Sequence, residues 1–160
     1  MKNVATEPAI YGVVLVAGLV LIVGESAEAS WEVFLKVCAT VVVFWAAHVY
    51  ASIVAHLGDE PAGLPLQHRL AGAARTAVGH SWGMLLAAFL PLSMLLFGHG
   101  LVLDGSQAVW GALWLSVLLL GVLGYAKAMP WTTNPWVRVA SAAITSALGL
   151  VLILLKALVH

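Results

Sequence analysis

The sequence predicts an all-α, polytopic membrane protein: one domain over residues 1–160, folded as a bundle of five transmembrane helices. Hydrophobic residues make up 62% of the chain and charged residues only 9%, whereas a soluble domain carries about 25% charged residues. Five apolar runs approach the roughly 20 residues that a spanning helix needs. Short segments with glycine, proline or polar residues separate these runs.

The first two helices are predicted over residues 8–24 and 31–56. Glu7 and Pro8 suit a helix start, because an acid stabilises the positive end of a helix and proline fits its first turn. The glycine and proline of the segment 58–61 end the second helix. The first apolar run also resembles a secretory signal with a small-residue cleavage site. Because the chain begins at Met1, we expect this helix to be retained.

The other three helices are predicted over residues 79–97, 108–128 and 136–159. Apolar and polar side chains alternate over residues 66–78, which predicts a short amphipathic segment before the third helix. This segment either lies along the membrane interface or extends the third helix. Pro91 predicts a kink in that helix, and Asp104 or Ser106 is expected to cap the fourth.

The distribution of lysine and arginine predicts the orientation. If the N-terminus is cytoplasmic, the inner ends of the helices carry five of these residues and the outer ends carry two. The inner residues are Lys2, Arg69, Arg75, Lys127 and Arg138, and the outer ones are Lys36 and Lys156. Positive residues concentrate on the cytoplasmic side, so we expect the N-terminus inside and the C-terminus outside.

The second helix carries the strongest candidate site. His48, Ser52 and His56 recur every four residues, so they share one helix face. Arg75 and His80 of the third helix fall at the same end of the bundle. We expect these five residues to line a vestibule that faces the cytoplasm.

Histidine titrates near neutral pH, and ionisable groups inside a membrane are costly unless they are used. A proton or ion path is therefore the functional interpretation of the vestibule. The alternative is structural: neutral histidines bond across helices or lie at the interface. Trp45 and Tyr50, beside His48 on the same helix, are candidate gating or packing aromatics.

Two further polar features allow two interpretations each. Lys156 lies at the depth of Glu32, so the two residues are predicted to form a structural ion pair between the second and fifth helices. Otherwise the lysine extends its ammonium to the interface. Ser141, Thr145 and Gly149 recur every four residues of the fifth helix, and such residues either line a pore or pack helices together.

The sequence favours no cofactor, metal or enzymatic activity. The motifs GxSxG, HExxH, GxxxxGK[ST] and GxGxxG do not occur. A haem needs two facing histidines at one depth, for which His48 with His80 is the available pair. A zinc set of His56, Asp59 and His80 lacks the spacing of known motifs. The single cysteine excludes an intrachain disulfide, and the formal net charge of zero gives no sign of nucleic-acid binding.

The segment from Phe44 to Ala51, FWAAHVYA, and the end from Leu148 to His160 resemble a group of small bacterial integral membrane proteins with no established activity. The resemblance covers about a quarter of the chain and implies only that both ends of the polar set belong to a recurring pattern. We expect the protein to lie in the inner membrane of a bacterium.

Three functions are expected from these patterns. The first is a homo-oligomeric channel or small transporter for a proton or small ion, because a bundle this small leaves little room for a path within one copy. The second is a non-catalytic accessory or assembly subunit of a larger membrane complex. The third is a b-type haem protein. In each case the lipid bilayer surrounds the chain.

Overall fold

A computed structural model shows five α-helices that run alternately up and down. It describes residues 7–26, 30–57, 65–97 and 104–159. The helices are α1 (Glu7–Ser26), α2 (Ser30–His56), α3 (Leu66–Phe97), α4 (Gly105–Ala128) and α5 (Pro135–Val159). All five are long and apolar enough to cross a membrane. The predicted all-α class with five candidate membrane spans is therefore confirmed, and the predicted ends of α1, α2, α4 and α5 lie within three residues of those observed.

α3 is longer than the predicted third helix. It is continuous from Leu66 to Phe97, so the amphipathic segment 66–78 forms its first turns and is not a separate element. At about 1.5 Å per residue the helix is about 48 Å long, which exceeds a hydrocarbon core of about 30 Å. Ala73 and Ala77 are buried within this extension, which explains why the helix continues through it.

α1 is the central helix of the bundle. It contacts all four others, whereas α5 packs on α4 and α1 and, within the described residues, touches neither α2 nor α3. We call the end where α1 begins and α2 ends the near end, and the opposite end the far end. The larger core cluster joins the far halves of α1 and α2, including Val20, Val33 and Val37, to α3 and α4.

At the near end of the bundle, α1 lies very close to α3. A Cβ atom on Gly12 would stand 2.7 Å from the carbonyl oxygen of Met84 and 3.1 Å from its Cα. Ala9 and Val13 are buried beside Leu120 and Leu123 of α4. At this end α1 is therefore packed against α3 and α4.

The polar residues of α5 form a packing surface. Ser141 donates a hydrogen bond to the carbonyl oxygen of Gly124, 2.9 Å away. The Thr145 hydroxyl likewise donates a hydrogen bond to the carbonyl oxygen of Leu120, 2.9 Å away. A Cβ atom on Gly149 would lie 2.8 Å from the side chain of Val117, so the two helices are close there. Of the two interpretations of this stripe, helix packing agrees with the structure.

Candidate functional site

The near end of the bundle contains a half-open groove of about 580 Å³ between α1 and α2, with α3 behind it. Its walls come from three helices: Glu7, Pro8 and Tyr11 of α1; Phe44, Ala47, His48, Ala51, Ser52, Ala55 and His56 of α2; and His80 of α3. Four of the five residues predicted to line a vestibule, His48, Ser52, His56 and His80, therefore meet in one cavity.

The groove exists because the packing of α2 changes along its length. Val33, Val37 and Val41 are buried at successive turns in its far half. None of residues 42–57 is fully buried, so α2 loses its core contacts toward the near end. α1 remains packed on α3 and α4 there, and the groove lies between α1 and α2.

His48 is the deepest of the polar residues that α2 contributes to the groove. Two turns separate it from His56, which corresponds to about 12 Å at 1.5 Å per residue. The half-buried His48 has an Nε2 atom that is out of contact with solvent and has no hydrogen-bond partner in the described structure. A buried polar atom without a partner costs about 1–3 kcal/mol. His48 as a residue lines the cavity, although this nitrogen itself is closed off from it.

His56 is held at the mouth of the groove by its own helix. Its Nδ1 lies 2.7 Å from the carbonyl oxygen of Ser52 and 3.4 Å from the Ser52 hydroxyl oxygen. Because a carbonyl oxygen can only accept, Nδ1 carries the proton and donates it. In the neutral ring Nε2 is then the acceptor. This assignment follows from the hydrogen-bond pattern and makes His56 a proton acceptor at the groove.

Glu7 and Tyr11 belong to the site although the sequence analysis did not place them there. Both are exposed residues of α1 that line the groove. Glu7 was interpreted only as a favourable acid at a helix start. Its spacing of four from Tyr11, at the end of the bundle that holds His56, is the signal that would have found the pair.

Arg75, which the sequence analysis placed in the same cavity, is not part of the groove wall. Arg75 is an exposed residue of α3. It is five residues from His80, which turns it about 140° around the helix axis. Arg69 instead reaches α2: its Nη2 donates a 2.8 Å hydrogen bond to the carbonyl oxygen of Leu57, which satisfies one of the free carbonyls at that helix end.

The two predicted aromatic residues have different surroundings. The ring of Trp45 lies 6.3 Å from that of Trp82 on α3, at an interplanar angle of 53°. Trp45 therefore packs α2 against α3, and its buried indole N–H has no partner in the described structure. Tyr50 is 70% exposed and is not part of the groove wall.

The structure does not bring Glu32 and Lys156 together. Glu32 lies 3.5 Å from Lys36 on its own helix. α2 and α5 make no contact within the described residues, so an ion pair between them has no geometry to support it. Lys156 is only 4% exposed, with its ammonium 5.9 Å from the ring centroid of Trp110, a cation–π arrangement.

The described residues offer little for a metal ion. No group of three or more histidine, cysteine, aspartate or glutamate side chains among them is placed to hold one. Asp59, the third member of the predicted zinc set, lies outside the described residues. His48 and His80 line one groove from two helices, which is the part of the haem hypothesis that the geometry supports.

The resemblance of α2 and the end of α5 to small bacterial membrane proteins stays a prediction. Comparison of the chain with models of known families, with curated proteins and with solved structures finds no match.

Proposed function

We propose that this chain is a small membrane transporter or channel for a proton or small ion, and that the groove at the near end is part of the path. The observation that carries the proposal is the imidazole of His48, whose buried Nε2 is unpaired beside a cavity of about 580 Å³. An ionisable group inside a membrane is a candidate functional residue by default.

The arrangement supports proton movement in particular. His56 and His80 line the same groove as His48, and Glu7 adds a carboxylate. Histidine and carboxylate side chains form proton relays in membrane proteins. The order from His56 to His48 along α2 therefore describes a route from the near end into the bundle.

We further propose that the chain is homo-oligomeric and that a second copy covers the open side of the groove. The wall of α2 that faces outward contains Ala47, Ala51 and Ala55, which are exposed. Small residues four apart allow two helices to approach closely. An enclosed path would then form between copies.

The proposed orientation places the groove on the cytoplasmic side of a bacterial inner membrane. Arg69, Arg75, Lys127 and Arg138 lie in helices at or beside the near end, whereas Lys36 and Lys156 lie toward the far end. Positive residues favour the cytoplasmic side.

The test is proton flux into liposomes that contain the purified chain and an internal pH-sensitive dye, driven by a potassium diffusion potential. The wild-type chain is expected to carry protons above the rate of empty liposomes, and His48→Ala to abolish this excess. His68→Ala is the matched control, because His68 is an exposed residue of α3 outside the groove. Flux that survives His48→Ala, or no flux from the folded wild-type chain, would contradict the proposal and favour an accessory subunit.

A further inference from the structure

We propose that the groove binds an amphiphilic organic cation, with Glu7 as its counter-charge and Tyr11 and Phe44 against its apolar part. This inference rests on the proposed function, since it names a second substrate class for the same cavity. It begins from the chemistry of the walls, which is mixed: one carboxylate, three imidazoles and several apolar side chains.

The size of the cavity suits such a ligand. A volume of about 580 Å³ lies within the roughly 300–1,000 Å³ range of sites for small organic molecules. Tyr11 is 54% exposed and Phe44 is 40% exposed, so each has ring surface available for contact at the groove.

The charges of the walls favour a cation over an anion. Among the residues that the structure describes, Glu7 is the only carboxylate that lines the groove, and no lysine or arginine lines it. When the His56 ring is neutral, its Nε2 is an acceptor, because its Nδ1 donates to the carbonyl oxygen of Ser52. The aromatic faces of Tyr11 and Phe44 attract a cation through their quadrupoles. A negative charge, an acceptor and two aromatic rings therefore complement a positively charged ligand with apolar substituents.

The depth of the groove gives the ligand a second contact. His48 lies two turns before His56 on α2, further into the bundle, and its buried Nε2 lacks a partner in the described structure. A ligand whose charge lies at Glu7 and whose apolar body contacts Phe44 would lie beside His48, which lines the same groove. The position that the proposed proton path uses would then also sense whether the groove is occupied.

Two probes of matched shape and opposite charge test the inference. Binding of tetraphenylphosphonium and of tetraphenylborate to the purified full-length chain is measured by equilibrium dialysis in detergent, with protein-free micelles subtracted. Saturable binding of the phosphonium alone is expected. Equal binding of the borate would overturn the inference, because the groove would then select only for apolar character.

The variant Glu7→Gln is expected to bind the phosphonium about tenfold more weakly, which is the loss of one charge-assisted contact. Glu32→Gln is the matched control. It removes an exposed carboxylate from the first turn of α2 at the far end, and is expected to bind like the wild-type chain. Unchanged binding by Glu7→Gln, or an equal loss in both variants, would overturn the inference.

A second variant guards against misfolding. Glu7→Asp keeps the charge and is expected to retain more binding than Glu7→Gln.

The proton path and the cation site can fail separately. If the wild-type chain moves protons in a His48-dependent manner but binds no phosphonium, the proposed proton path stands and the proposed binding of an organic cation is overturned. If phosphonium binds with the expected dependence on Glu7 but no protons move, the groove is a binding site without the transport function.

Discussion

The hydroxyl of Thr145 on α5 donates a hydrogen bond to the carbonyl oxygen of Leu120 on α4, with 2.9 Å between the two oxygens. The same hydroxyl also lies 2.9 Å from the carbonyl oxygen of Ser141. Its one proton serves only one acceptor at a time. The polar stripe of α5 is thus satisfied within the bundle by backbone carbonyls, so the candidate path lies elsewhere, between α1 and α2.

Replacing Thr145 by valine tests this packing role. The Thr145→Val variant loses the hydroxyl and keeps the shape, so the free energy of unfolding is expected to fall by about 0.6 kcal/mol. The measurement is unfolding in mixed micelles titrated with sodium dodecyl sulfate, followed by circular dichroism. Thr133→Val, at an exposed position in the connection before α5, is the control. Loss of proton flux without loss of stability would show that Thr145 belongs to the path.

A methyl group at Gly12 is expected to separate α1 from α3. Its Cβ would stand 2.7 Å from the Met84 carbonyl oxygen, and backbone cannot move aside as a side chain can. Gly12→Ala should lower the free energy of unfolding by about 1–3 kcal/mol, as overpacking of a core does. At Gly18 an added Cβ would meet nothing within 4 Å. Gly18→Ala should therefore be neutral or stabilising, and equal losses in both variants would contradict this close approach.

Replacing His48 by leucine separates function from stability. Because Nε2 of His48 is buried without a partner, its removal relieves a cost of about 1–3 kcal/mol. His48→Leu is therefore expected to be at least as stable as the wild-type chain and to carry no excess proton flux. Ser116→Ala is the comparison, since it removes a buried hydroxyl that does have a partner, the carbonyl oxygen of Ala112 at 2.8 Å. A less stable His48→Leu would indicate a structural histidine.

The buried ammonium of Lys156 is expected to lower stability. Its cation–π contact with Trp110 contributes about 0.5–2 kcal/mol. Burial of a lysine in a membrane costs about 2.5–3.5 kcal/mol at the helix centre. Lys156→Met should then raise the free energy of unfolding by about 0.5–3 kcal/mol, the difference between these ranges. The same unfolding assay checks this, and a destabilised variant would show that the ammonium has a stronger partner in the assembled protein.

Single cysteines test the proposed contact between copies. In a Cys38→Ala background, Ala51→Cys is expected to yield cross-linked dimers in liposomes treated with a short thiol-reactive cross-linker. Ala143→Cys, at an exposed position of α5, should not. Non-reducing gel electrophoresis distinguishes the two. Dimers at Ala143 alone would move the interface to the other side of the bundle.

The fold was largely predictable because lipid imposes a simple rule. Each apolar run must form a helix of spanning length, which places the ends of α2 and α5 within one residue of prediction. The length of α3 was harder to predict. Residues 66–78 are amphipathic, and periodicity alone does not tell whether such a segment lies flat or continues a helix.

The site was predictable only where residues share one helix. The spacing of His48, Ser52 and His56 correctly indicated a common face of α2. The residues of other helices that join this face depend on how each helix is rotated about its own axis. Where a helix has no clear amphipathic pattern, its sequence does not predict that rotation. Glu7 was therefore missed, Arg75 was included although it is not part of the groove wall, and Glu32 was assigned a partner on a helix that α2 does not touch.

The change in burial along α2 separates two tasks on a single helix. The far half holds the core together, since Val33, Val37 and Val41 are buried. The near half, from Phe44 to His56, adds little to that core and carries the polar chemistry. Substitutions in the near half can alter which ligands the groove binds while the fold persists. One helix therefore provides both a half that packs into the core and a half that tolerates substitution.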